Sequence, residues 1–132
     1  MIALPHAARI LLALGATDMR KSYDTLAQVT REKIGEEPLS GHLFVFCNGG
    51  RNRMKILYWD GNGYWLFAKR LERGTFSWPG RLASGETALE MKSHELMALV
   101  GGIDLRRAVQ RLRYAHPSQQ NSDNRERITL GT

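Results

Sequence analysis

The sequence predicts an α+β fold, an antiparallel β meander of about four to five short strands packed with two to three helices. Three observations predict it. Hydrophobic periodicity switches from about 3.6 to 2 after Pro38. Turn signals at Asn48-Gly49-Gly50 and Asp60-Gly61-Asn62-Gly63 separate runs of strand-forming residues. Helical stripes flank that central region on both sides. A chain of 132 residues, 42% of them hydrophobic, supplies a core for one domain, expected at 1–114, ahead of a polar tail at 115–132.

Taken in order, Ala7 to Leu14 is an apolar run cut by Gly15 at a length usual for a buried strand. Thr17 and Asp18 are good N-cap residues. Tyr23, Leu26, Ala27, Thr30 and Ile34 then recur at helical spacing until Gly35, which predicts a helix over 19–34. His42 to Cys47 alternates Leu43 and Val45 on one face with Phe44 and Phe46 on the other. Met54 to Trp59 and Tyr64 to Leu71 complete three meander strands, and a shorter strand is expected at Phe76 to Trp78, ending at Pro79-Gly80. After Ala88 to Met91, Ser93 caps a short helix carrying Leu96, Met97, Leu99 and Val100, stopped by Gly101-Gly102. From Asp104, Leu105, Ala108, Val109 and Leu112 form one helical stripe and Arg106, Arg107, Gln110, Arg111 and Arg113 largely the other. Beyond Pro117, the stretch from Ser118 to Asn124 has almost no apolar content.

Charge is the asymmetric feature. The formal net charge is +6, and it is uneven: residues 42–81 carry +5, residues 82–104 carry −3 and residues 105–132 carry +4. Fourteen of the 19 cations are Arg, whose planar fork suits phosphate and carboxylate better than the Lys point charge. Such a surface either keeps the protein soluble or meets a polyanion.

Arg51, Arg53 and Lys55 alternate along a strand and are expected on one face, where like charges repel without a reason from the fold itself. Lys69, Arg70 and Arg73 return nearby at the end of the third meander strand. Tyr58, Trp59, Tyr64, Trp65 and Phe67 are interleaved with them, either as core residues or as stacking platforms beside phosphate-binding cations. Arg20 and Lys21 fall in the first turn of the predicted helix, against its dipole. They either reinforce an anion site at the helix N-terminus or pair with Asp18. Arg106 and Arg107 repeat that conflict after Asp104, with Arg111 and Arg113 further along the same helix.

Catalytic readings are weak. Cys47 sits in an apolar alternating run, as a small core residue does, and His42 falls on the opposite strand face. Asp18 and Asp104 read as caps and Asp60 as a turn residue, which leaves little for a carboxylate metal site built with Asp24 and Glu72. Gly61-Asn62-Gly63 is a hairpin turn and no Gly-Lys-Ser phosphate loop occurs. One Cys and histidines at 6, 42, 94 and 116 do not make a zinc site. The expectation is a non-enzymatic cytoplasmic protein with no cofactor, no metal and no membrane span.

Thr17-Asp18-Met19-Arg20-Lys21, Gly41-His42-Leu43-Phe44-Val45-Phe46, Lys55-Ile56-Leu57-Tyr58-Trp59-Asp60-Gly61 and Lys69-Arg70-Leu71-Glu72, then Phe76, Trp78-Pro79 and Gly102-Ile103-Asp104, carry a resemblance. From about Leu4 to Arg107 the chain resembles the TnpB-type accessory proteins encoded by the second open reading frame of the IS-sixty-six insertion sequences. These are distinct from the RNA-guided nuclease that shares the TnpB name. It departs from that pattern at Tyr58 and Leu105, where Trp is common, and at Cys47, where polar or basic residues are usual. The resemblance implies a non-catalytic accessory role in DNA transposition beside a larger transposase. Its partners would be transposon DNA, contacted by the basic residues above, or the transposase and the other accessory protein of the element, contacted as an adaptor.

Overall fold

The computed structural model describes residues 8–80 and 85–102. Its centre is a five-stranded sheet formed by β1 (Ile10–Ala13), β2 (Leu43–Cys47), β3 (Arg53–Trp59), β4 (Tyr64–Arg70) and β5 (Ala88–Met91), in the order β4-β3-β2-β1-β5. Helix α1 (Tyr23–Val29) runs on into a π-helical turn, Thr30–Ile34, and helix α2 (Ser93–Val100) follows β5. The β2-β3-β4 meander is antiparallel, as its turn signals predict. β1 lies parallel to β2 because the intervening helix carries the chain back across the sheet, and β5 closes the far side antiparallel to β1. The mostly antiparallel sheet with its two helices is an α+β fold.

β2 is the hub. All five of its residues are buried, and their alternation builds the core in two halves. Leu43, Val45 and Cys47 join Ile10, Leu12, Met54, Tyr58, Phe76, Trp78, Leu96 and Leu99 on the α2 side. Phe44 and Phe46 join Leu11, Ala13, Leu26, Ala27, Val29 and Leu57 on the α1 side. Each fully buried Leu or Phe contributes roughly 1.5–3 kcal/mol by leaving water, so both faces of this small sheet are covered by necessity.

The structure corrects the sequence reading in three places. The first helix does not begin at 19. Asp18 folds a turn onto itself, its carboxylate accepting the Arg20 amide at 2.9 Å, and the carbonyls of Met19 and Lys21 accept the Lys55 ammonium. The Lys21 amide closes a turn onto the Asp18 carbonyl at 3.2 Å, so residues 18–21 form an anchored turn rather than the first turn of the helix. The helix starts instead after Ser22, whose amide donates to Thr25 Oγ1 at 2.8 Å. Its end is where Gly35 puts it, with φ +80. The buried Thr30 hydroxyl donates back to the Leu26 carbonyl at 2.9 Å, a bond that accompanies the widened last turn.

Phe76 to Trp78 is not a strand. The Trp78 amide closes a three-residue turn onto the Phe76 carbonyl at 2.8 Å, which removes it from any ladder, while both rings enter the core. The second helix is capped one residue early, by Glu95 accepting the Lys92 amide at 2.8 Å rather than by Ser93. The expected basic helix from Asp104 and the tail at 115–132 lie outside the described residues. Among the described residues no helix is long and apolar enough to cross a membrane.

Candidate nucleic-acid interface

The twelve cations singled out by sequence separate into distinct groups. Arg53 and Arg70 are direct cross-strand partners on β3 and β4. The hydrogen bonds from the Leu71 amide to the Asn52 carbonyl and from the Asp60 amide to the Gly63 carbonyl set the alternation of this ladder. Arg53 and Arg70 therefore form a non-hydrogen-bonded pair, the kind in which Cα atoms approach to about 4.5 Å and side chains lie closest. Like charges placed there oppose pairing. Both side chains are exposed.

Beside Arg53 opens a cleft of about 500 Å³, lined by Thr17, Asp18, Arg20, Asn48, Gly49 and Arg53. It lies where the loops leaving the parallel strands β1 and β2 meet. Two hydrogen bonds shape it. The Thr17 amide donates to the Cys47 carbonyl at 2.8 Å, and the Asn48 Oδ1 accepts the amides of Asn52 and Arg53 at 3.0 Å each. The Asn48 side chain thus sets the direction in which β3 departs and where Arg53 emerges.

Arg20 reaches this cleft paired. Its guanidinium meets Asp18 at 2.7 Å, which holds the Asp18 carboxyl well below the ordinary carboxylate range and pushes the Arg20 guanidinium up. The Arg20 side chain is still 92% exposed, so the pair neutralises charge without hiding it. Lys21 is half-buried on the same loop, and Arg70 is bonded to Glu72 at 3.0 Å. Among the described residues the side chains of Arg53, Lys21 and Arg73 have no hydrogen-bonding or ion-pair partner.

Three of the sequence candidates are engaged in holding the fold. Arg51 is not on the strand but in the turn before it, at φ 60, and its Nη1 donates to the Trp78 carbonyl at 2.8 Å. The expected Arg51, Arg53, Lys55 stripe is therefore reduced to Arg53 and Lys55. Lys55 faces the same way as Arg53, but its Nζ donates at 2.8 Å to both the Met19 and Lys21 carbonyls. Lys69 points to the opposite face and donates to the Val100 carbonyl at 2.8 Å, a cation at the carboxyl end of α2. Arg20 and Lys21 precede the helix rather than occupy its first turn, so no conflict with the dipole arises. Arg106, Arg107, Arg111 and Arg113 lie outside the described residues.

The aromatic residues divide as well. Tyr58 is core, and Trp59 and Tyr64 pack edge to face at 5.1 Å with Tyr23 stacked on Tyr64. Trp65 and Phe67 are each 44% exposed on the other side of β4 and stack at 6.0 Å with planes 8° apart. The cleft residues Thr17, Asn48 and Gly49 read in sequence only as cap and turn signals, because their convergence depends on β1 and β2 lying parallel. Cys47 is fully buried and its thiol is pushed up to about 11 by burial, the opposite of an activated nucleophile. Among the described residues no group of His, Cys, Asp and Glu is placed to hold a metal.

Comparison with known proteins bears on what this surface belongs to. Two curated relatives from Sinorhizobium fredii (strain NBRC 101917 / NGR234) are similar over most of their length. The uncharacterized protein y4hO is 41% identical over 98 residues, 74% of this chain and 83% of its own. The uncharacterized protein y4jC is 33% identical over 104 residues, 79% of this chain and 86% of its own. No solved structure matches the chain. The model of the family described as IS66 Orf2 like protein matches residues 8–110, every strand and helix described above. The chain belongs to the IS66 Orf2-like family of insertion-sequence-associated accessory proteins.

Proposed function

We propose that this protein is a non-catalytic accessory factor in transposition that binds the DNA of its insertion sequence through a basic surface of the β3-β4 hairpin. The observation that carries the reading is the Arg53 and Arg70 pair. Two exposed arginines stand at directly opposed positions of the closest cross-strand class, Arg53 without a side-chain partner among the described residues and Arg70 held by Glu72, and a phosphate beside them would offset their repulsion. Arg73 is an exposed cation and Lys21 a half-buried one on nearby loops, and Arg20 borders the adjoining cleft. Contacts of this kind are to phosphates, so they position a protein on DNA and do not read its sequence.

The second reading is an adaptor that binds the transposase or the other accessory protein of the element without touching DNA. Charge segregation across the sheet favours it. The β4 edge is basic, whereas the exposed Glu86 lies just before β5, whose Glu90 is already paired with Arg9 at 2.8 Å, and an acidic group of that kind suits a basic protein partner.

Fluorescence anisotropy with a labelled duplex from an element end, beside a scrambled duplex, tests the first reading. Binding at low salt that weakens steeply as salt rises, and that is lost in the Arg53→Ala, Arg70→Ala double variant, supports it. Absence of binding at low salt, with the transposase retained in a pull-down by wild type and double variant alike, would replace it with the adaptor.

A further inference from the structure

Strand β4 is one edge of the sheet, and its seven residues are exposed apart from the half-buried Tyr64 and Leu66. The ladder alternation already established directs the main-chain groups of Trp65, Phe67 and Lys69 inward to β3. Those of Tyr64, Leu66, Ala68 and Arg70 point outward, away from the sheet. A long edge that carries two adjacent exposed aromatic rings is the sort of surface that proteins ordinarily blunt or cover. Here the rings are fixed rather than loose, because the Trp65 indole donates to Asp60 Oδ2 at 2.8 Å and stacks on Phe67.

We propose that β4 pairs antiparallel with β4 of a second copy, about a two-fold axis at Phe67, to give a continuous ten-stranded sheet. The sequence of the strand is self-complementary in that register and in no other that uses all seven residues. Phe67 stands opposite Phe67 of the second copy, Leu66 opposite Ala68, Trp65 opposite Lys69 and Tyr64 opposite Arg70. Every cation meets an aromatic ring and no like charges meet. Lys69 keeps its ammonium on the Val100 carbonyl, so its alkyl stem is what crosses Trp65.

The outward-directed groups fall into place as well. Residues 64, 66, 68 and 70 become the hydrogen-bonded positions of the new ladder, for about eight interchain bonds, and residues 65, 67 and 69 the non-bonded ones. Because the axis is perpendicular to the sheet, the face that carries Arg53 and Arg70 is on the same side in both copies. The pairing does not depend on whether that face meets DNA.

The test uses the full chain. In the proposed register the two residues 67 form a non-hydrogen-bonded pair with Cα atoms about 4.5 Å apart, within disulfide reach, whereas the two residues 65 are about 14 Å apart. A Phe67→Cys variant is expected to form a covalent dimer under mild oxidation and a Trp65→Cys variant to stay uncrosslinked, while the buried Cys47 takes no part. Sedimentation equilibrium is expected to show a dimer for the wild type and a monomer for Ala68→Pro. That variant removes an outward amide of the edge and leaves the β3 bonds intact, so a native circular dichroism spectrum separates lost pairing from lost fold. A wild-type monomer at all concentrations, a dimeric folded Ala68→Pro, or equal crosslinking through positions 65 and 67 would overturn the proposal.

Discussion

Arg53 and Arg70 face each other directly across β3 and β4, two like charges in the closest class of cross-strand position. Neither is fixed by the interior: Arg53 has no side-chain partner among the described residues, and Arg70 meets only Glu72 on its own strand end. Replacing Arg53 by a neutral residue relieves that repulsion and breaks no pair, whereas replacing Arg70 also gives up Glu72. Arg53→Gln is expected to leave stability unchanged or raise it by a few tenths of a kcal/mol in urea denaturation, while DNA affinity falls. A loss of more than about 1 kcal/mol would mean that Arg53 serves the fold.

Lys55 is the opposite case. It sits one pair along the same strand face, but its ammonium is shared between the Met19 and Lys21 carbonyls. Lys55→Met is expected to cost about 1–3 kcal/mol, since hydrogen bonds to a charged group contribute about that much when they are removed. Amide exchange should speed up in the 19–22 loop first. An unchanged midpoint and unchanged exchange there would contradict the anchoring role.

How far these roles were legible in sequence depended on which dimension they needed. The alternation of Leu43, Phe44, Val45 and Phe46 maps onto the two core halves because strand period is a local property. The stop at Gly35 is local in the same way. Arg51, Arg53 and Lys55 look equivalent by spacing, and only the position of the turn, the nearness of the 19–21 carbonyls and the Trp78 carbonyl separate them. Those neighbours are 27 to 36 residues away along the chain, beyond what any periodicity reports.

At Arg51 the backbone is left-handed, with φ 60, a conformation that costs a non-glycine residue roughly 1–2 kcal/mol. Arg51→Ala loses the bond to the Trp78 carbonyl and keeps that cost, whereas Arg51→Gly loses the bond and relieves it. Thermal denaturation should find the glycine variant about 0.5–1 kcal/mol more stable than the alanine variant. The reverse order would contradict the strain.

Asp18 puts a negative charge into the cleft beside Arg53 and neutralises Arg20. Asp18→Asn is therefore expected to tighten DNA binding several-fold at low salt. Its pH sign follows from the lowered carboxyl. The stability contributed by the Asp18 pair is present above the ordinary aspartate value of 3.8 and is lost only as pH falls below it, so mild acid does not mimic the variant. Unaltered DNA affinity in Asp18→Asn would remove the cleft from the interface.

The buried Cys47 thiol, raised from 9.0 to about 11, should resist alkylation at neutral pH until the protein unfolds. A raised acid favours the folded state below the unfolded value and loses that advantage as pH climbs from about 9 toward 11. Cys47→Ala should flatten that alkaline limb of the stability curve. Rapid labelling of the native protein would contradict the burial.

The salt dependence of DNA binding decides whether Arg53 and Arg70 contact phosphates. For an element-end duplex, the slope of log affinity against log salt should be steep in the wild type. It should lose about 1.8 units in the Arg53→Ala, Arg70→Ala variant, about 0.9 for each phosphate contact removed. A shallow slope in the wild type, or one the double variant leaves unchanged, would contradict those contacts.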